Sequence, residues 1–91
     1  MTCKEFIKFL DTNEIRYKHE LVNGIYDFVY VYGETEKIID PFDHTVRDYV
    51  PYLRVTHFGS SSGLYTRDNG LCGWKNEKWV KNRCIELKEG R

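Results

Sequence analysis

Between Asp40 and His44 the chain reads Asp-Pro-Phe-Asp-His, which places three side chains able to ligate a metal within five residues; His57 could add a fourth. Carboxylate and imidazole donors suit a divalent ion, but no pair here stands at the spacing of a strong metal motif. Capping by Asp43 ahead of a short helix accounts for one of these residues, so no metal is expected. Cys72 or Cys84 with His57, or a loop serine with His44, supply nucleophile–base pairs in composition only. No nucleophile elbow surrounds them. Gly59-Ser60-Ser61-Ser62-Gly63 could fold as a nest of amides around a phosphate. It lacks the lysine and the following helix of a P-loop, and reads as a flexible loop. His19 reads as a packed, hydrogen-bonded histidine at the edge of the core.

Carboxylates give a second set. Glu20 and Asp27 lie on the two arms of a hairpin, and Ile38-Ile39-Asp40 follows as a short strand. Like charges placed together are costly unless a cation joins them. This order of a helix, a hairpin and an Asp-bearing strand resembles the core of PD-(D/E)xK-type nucleases. The resemblance covers about 30 residues. It implies metal-assisted attack by water, with Asp27 and Asp40 as ligands. The position two after Asp40 is Phe42, where the family carries Lys, and Lys37 would have to serve from upstream. Edge carboxylates flanked by Arg16 and Lys18 explain the same residues without chemistry. No enzymatic activity and no cofactor are expected.

Aromatic and cationic side chains are more telling. Seven Tyr and two Trp in 91 residues exceed what so small a core can hide. Tyr, Trp and Arg supply large contact area with a polar tip, the profile of binding hot spots. Tyr49, Tyr52, Arg54, Tyr65, Arg67, Trp74 and Trp79 are the expected partner-binding residues. A short, neutral, aromatic-rich chain of this kind resembles in style the stand-alone inhibitors and adaptors of phages and other mobile elements. The expected function is inhibition of, or adaptation to, a larger protein. Homodimerisation through a strand edge would use the same aromatics. The segment from Trp74 to Arg83 interleaves four cations with two Trp, which could stack on bases and hold phosphates. Nucleic acid is therefore the alternative partner, although the acidic N-terminal half opposes it.

These residues need a frame. The length fits one domain, and 41% hydrophobic with 31% charged residues is ordinary for a globule. No apolar run reaches the roughly 18 residues of a membrane span, and the N-terminus reads as an amphipathic helix, so a cytoplasmic chain without membrane contact is expected. Three cysteines without CxxC spacing suit reduced thiols. Net charge is zero, yet residues 1–45 carry five Lys/Arg against nine Asp/Glu and residues 46–91 carry nine against five. Such a dipolar surface orients a partner.

Thr2-Cys3-Lys4-Glu5 is a capping box, and Cys3, Phe6, Ile7 and Leu10 make one apolar stripe of a helix of about ten residues. Asn23-Gly24 then reverses a hairpin over 15–32. With a two-residue turn, Val22 faces Ile25, and Glu20 faces Asp27. Ile15, Tyr17, His19, Leu21, Tyr26, Phe28, Tyr30 and Tyr32 then share one face, which the helix is expected to cover. Short strands are expected near 37–40, 52–58, 64–66, 71–74 and 79–87, with a second short helix near 45–50 closed by Pro51. Trp74 and Trp79 would oppose each other across the last hairpin. The predicted class is α+β, an N-terminal helix packed on a small antiparallel sheet.

Overall fold

A computed structural model describes residues 1–60 and 63–90. In chain order it contains helix α1 (Cys3–Thr12), strands β1 (Tyr17–Val22), β2 (Tyr26–Tyr32), β3 (Glu36–Ile39), β4 (Val46–Tyr49), β5 (Tyr52–Ser60), β6 (Gly63–Asp68) and β7 (Leu71–Lys75), and helix α2 (Glu77–Glu89). Five strands form one antiparallel sheet in the order β1-β2-β5-β6-β7, while β3 and β4 pair only with each other. The class is the α+β one expected. Of the Gly59–Gly63 loop, Ser61 and Ser62 lie outside the described residues.

α1 begins as its sequence dictates. Thr2 accepts from the Glu5 N–H at 3.1 Å and its hydroxyl donates to the Glu5 carboxylate. Phe6 and Leu10 are fully buried, with Cys3, Ile7 and Phe9 packed at the margin. So short a helix holds its shape by this packing rather than by propensity.

The first hairpin corrects the expected register. Asn23 and Gly24 do take positive φ (56° and 67°), and the Ile25 N–H closes the turn onto the Val22 carbonyl. Ile25 is nevertheless an extra residue: the ladder starts at Val22↔Tyr26 and continues through Glu20↔Phe28 and Lys18↔Tyr30. Because side chains alternate with a period of two, this one-residue slip turns every β2 side chain to the other face. Val29 and Val31, not the tyrosines, join Ile15 in the core. Tyr26, Phe28, Tyr30 and Tyr32 share the opposite face with Lys18 and Glu20, and α1 does not cover them. Glu20 and Asp27 lie on opposite faces, so their expected opposition does not exist.

Two further elements differ. Residues 45–50 are not a helix: Val46–Tyr49 is β4, paired with β3 as Ile39↔Val46 and Glu36↔Tyr49. Asp43 caps a turn instead, its carboxylate accepting from the Thr45 N–H and hydroxyl, while His44 sits at φ 59°. Pro51 also biases Val50 away from helical backbone. Residues 79–87 are not a strand but belong to α2. Asn76 Oδ1 accepts from the Trp79 N–H at 2.7 Å, Val80, Cys84 and Leu87 recur at helical spacing, and Gly90 ends the helix at φ 78°. Trp74 and Trp79 therefore do not oppose each other across a hairpin.

Both helices pack on one face of the sheet. Phe6 and Leu10 of α1, Val80, Cys84 and Leu87 of α2, and Val29, Val31, Leu53, Val55 and Leu64 of the strands make a single core. Full burial of each large apolar side chain contributes about 1.5–3 kcal/mol. Arg83 on α2 grips Asp68 at the end of β6 with two hydrogen bonds, at 2.9 and 3.2 Å. A β-bulge at Thr56 shifts the β5–β6 ladder from Val55↔Thr66 to His57↔Tyr65. That bulge turns the His57 ring outward, against Tyr65 and Trp74.

Candidate functional site

With both helices on one side, the other side of the sheet has no helix over it. Cross-strand pairing orders its side chains into transverse rows. One row runs Lys18, Tyr30, Arg54, Arg67, Cys72 through all five strands. Beside it, His57, Tyr65 and Trp74 form a ring cluster with centroids 5.1–5.7 Å apart, the Tyr65 ring meeting the other two edge-on. On the far side Tyr32 faces Tyr52, with Tyr30 stacked on Tyr32 at 6.4 Å. Trp74 stays 48% exposed.

The two arginines define the electrostatics. Arg54 and Arg67 stand directly opposite each other, an arrangement of like charges that costs stability. Among the described residues neither forms an ion pair. The Arg54 guanidinium lies over the Phe28 ring at 5.2 Å, and its Nε is buried without an acceptor. Arg16, over Tyr32 at 5.8 Å, donates to the Gly33 carbonyl. Glu20, the carboxylate on this face, is occupied by Lys18 at 2.7 Å. The face is thus cationic and aromatic, with its central cations free to meet an anionic group.

Five of the seven expected contact residues meet on this face: Tyr52, Arg54, Tyr65, Arg67 and Trp74. Tyr49 stands at its border, its hydroxyl donating to Asn69 Oδ1, which also accepts from the Tyr52 N–H. Trp79 does not belong to it. That ring is half-buried on α2 beneath the Lys75 ammonium, 4.8 Å away. Phe28, Tyr30, Tyr32, Arg16 and His57 are the members that sequence reasoning missed. A two-residue turn at Asn23-Gly24 puts the first three on the covered face, and one extra residue leaves no mark in an alternating pattern.

The β3–β4 arm is another exposed apolar feature. Ile39 and Val46 pair on one side of it at 65% and 61% exposure, and Phe42 at its tip is 93% exposed. The arm leaves the body between Gly33 and Pro51, where the Gly33 N–H donates to the Pro51 carbonyl at 2.8 Å. A Cβ on Gly33 would meet the proline ring at 2.9 Å, so glycine permits this neck.

Among the described residues the carboxylate and Asp/His sets weighed from sequence are not assembled, and Ser61 and Ser62, weighed as partners of His44, lie outside those residues. Asp40 accepts from the Phe42 and Asp43 amides and pairs with Arg47, Lys37 pairs with Asp48, and Asp27 pairs with His19 across the first hairpin. Asp40, Asp43, His44 and His57 do not converge. Cys84 is fully buried, and burial pushes its thiol up to about 12. The segment from Trp74 to Arg83 is split between the outer sheet face and a helix on the inner one, so it forms no continuous strip. Among the described residues one cluster of metal-capable groups does converge: Cys3, His19 and Asp27, whose donor atoms lie within 4.8 Å of one another. Burial and the Asp27 charge push the Cys3 thiol up to about 11.

The fold and this surface define an α+β domain with a sheet covered on one side and open on the other. No protein-family model, curated protein or solved structure matches the chain. No helix among the described residues is long and apolar enough to cross a membrane.

Proposed function

We propose that the chain is a protein-recognition domain that binds an acidic surface of a larger protein and acts as its inhibitor or adaptor. One observation supports this reading: Arg54 and Arg67 face each other without counter-ions among the described residues, ringed by Tyr30, Tyr52, Tyr65 and Trp74. Keeping two cations opposed costs stability in the free domain, and a partner carboxylate placed between them removes that cost. Tyr, Trp and Arg at the centre of a surface are the residues that dominate interface energies. A protein fits better than a nucleic acid because the His57, Tyr65 and Trp74 rings pack edge-on and tilted against one another. Base stacking asks for separate flat platforms along a basic groove, and the chain has no net positive charge.

A photo-crosslinking residue at Tyr65, compared with one at Asn82 on α2, tests the assignment in a native lysate. Recovery of one stoichiometric protein through position 65 but not 82 is expected, with capture lost in Arg54→Ala and Arg67→Ala that remain folded. Capture indifferent to both arginines would refute the reading. Nuclease-sensitive capture, or crosslinking only to a second copy, would replace the partner with nucleic acid or with the chain itself.

A further inference from the structure

We propose that Cys3, His19 and Asp27 form a binding site for one zinc ion, on the helix-covered side of the sheet and apart from the arginine face. The three donors come from three elements. Cys3 is the first residue of α1, His19 lies mid-way along β1, and Asp27 is near the start of β2. Their meeting depends on the extra residue Ile25: with a two-residue turn Asp27 would point to the other side of the sheet. His19 and Asp27 are instead diagonal neighbours on one face, with His19 Nε2 and Asp27 Oδ1 at 2.7 Å. Cys3 Sγ stands 3.9 Å from the same nitrogen.

Thiolate, imidazole and carboxylate are the donors zinc takes, at about 2.3, 2.0–2.1 and 2.0–2.2 Å. Around a tetrahedral ion those lengths separate nitrogen from oxygen by about 3.3 Å and sulfur from nitrogen by about 3.6 Å. To reach these separations the observed 2.7 Å must lengthen by about 0.6 Å and the 3.9 Å shorten by about 0.3 Å, while sulfur and oxygen, now within 4.8 Å of each other, must come to about 3.6 Å. Such shifts are within rotation of the side chains, because His19 is exposed and Asp27 and Cys3 are only half-buried. Ile7 and Lys4 complete the lining of a cavity over the three groups. Ile7 gives it an apolar wall, and the flexible Lys4 chain can swing away. Three protein ligands leave the fourth position to water. Cys3 binds as the thiolate, its proton passing to solvent.

The test uses the full chain, reduced and stripped with a chelator. Zinc titration should give one ion per chain. Cobalt(II) should give thiolate-to-metal charge-transfer absorption together with the intense visible bands of a tetrahedral site. Changes to groups that merely support metal ligands cost about 10–100-fold in affinity, so His19→Gln and Asp27→Asn should each weaken zinc by more than about tenfold. Cys3→Ser should remove the charge-transfer band while its far-ultraviolet dichroism stays native, and Cys72→Ser should change nothing. Absence of stoichiometric zinc, cobalt binding without the sulfur band, or a band that survives Cys3→Ser would each overturn the site. Because Cys3, His19 and Asp27 lie apart from the arginine face, partner capture by the proposed recognition surface should be unaffected in the variants at these three positions.

Discussion

Replacing Arg67 by Glu would set unlike charges where two guanidinium groups now confront each other across β5 and β6. Directly opposed cross-strand pairs are worth roughly 0.2–1 kcal/mol, with the sign set by the charges. Reversing one member therefore changes the balance by about 0.5–1.5 kcal/mol. Arg67 is exposed, so screening by solvent holds the Coulomb part toward the lower end. For a domain of this size 1 kcal/mol moves the melting midpoint by about 4–8 °C, so a rise of about 3–8 °C is expected at low ionic strength. The rise should shrink toward 1 M salt, where the screening length falls to about 3 Å. Calorimetry at both ionic strengths reads it, with Arg67→Gln expected to give about half the rise. A midpoint that stays put or falls at low salt would refute the reasoning, as would a rise indifferent to salt. The stabilised variant should also lose partner capture, which separates a cost kept for binding from one kept for folding.

Two other perturbations follow from the geometry. Gly63→Ala should destabilise by more than Gly70→Ala, measured by urea unfolding. Both residues sit at positive φ, but a Cβ on Gly63 would lie 2.4 Å from the Lys75 carbonyl oxygen and one on Gly70 meets nothing within 4 Å. Cys72 should react with a thiol reagent in the native state while Cys84 stays protected until unfolding. The Cys84 thiol rises from 9.0 to about 12 on folding because it is buried. The unfolded chain therefore ionises first, and Cys84 should cost stability as pH climbs from about 9 toward 12. The alkaline slope should shrink in Cys84→Ala, read as the pH dependence of the unfolding midpoint.

Local signals in the sequence carried much of this fold. The Thr2 cap, the Phe6/Leu10 stripe and the positive φ at Asn23 and Gly24 are all as the residues dictate, because each rests on contacts within a few positions. Failure came where two readings had equal local support. β2 reads Tyr-Asp-Phe-Val-Tyr-Val-Tyr, apolar on both faces, so its alternation could not choose between burying the valines and burying the aromatic rings. Core volume decided it: two helices close over Val29 and Val31, while the larger rings remain half-exposed. At 79–87 the Val80, Cys84, Leu87 spacing and the Asn76 cap were legible as a helix, but the paired tryptophans suggested a hairpin. At 45–50 a capping pattern outweighed the β-branched and aromatic run before Pro51. The candidate surface was legible in residue type, and less so in membership, since Phe28, Tyr30 and Tyr32 reach it only through the slip at Ile25.

The neck at Gly33 and Pro51 has a consequence for how the chain can be altered. β2 and β5 are already neighbours where they enter and leave it, with Tyr32 beside Tyr52. The intervening residues 34–50 are thus an excursion from a junction that is closed without them. Exchanging them for a tight reversal should leave the five-stranded body standing and delete what Phe42 and its neighbours touch, together with the bond from the Tyr49 hydroxyl to Asn69. The arm behaves as an interchangeable cassette, open to redesign at little risk to the scaffold that carries it.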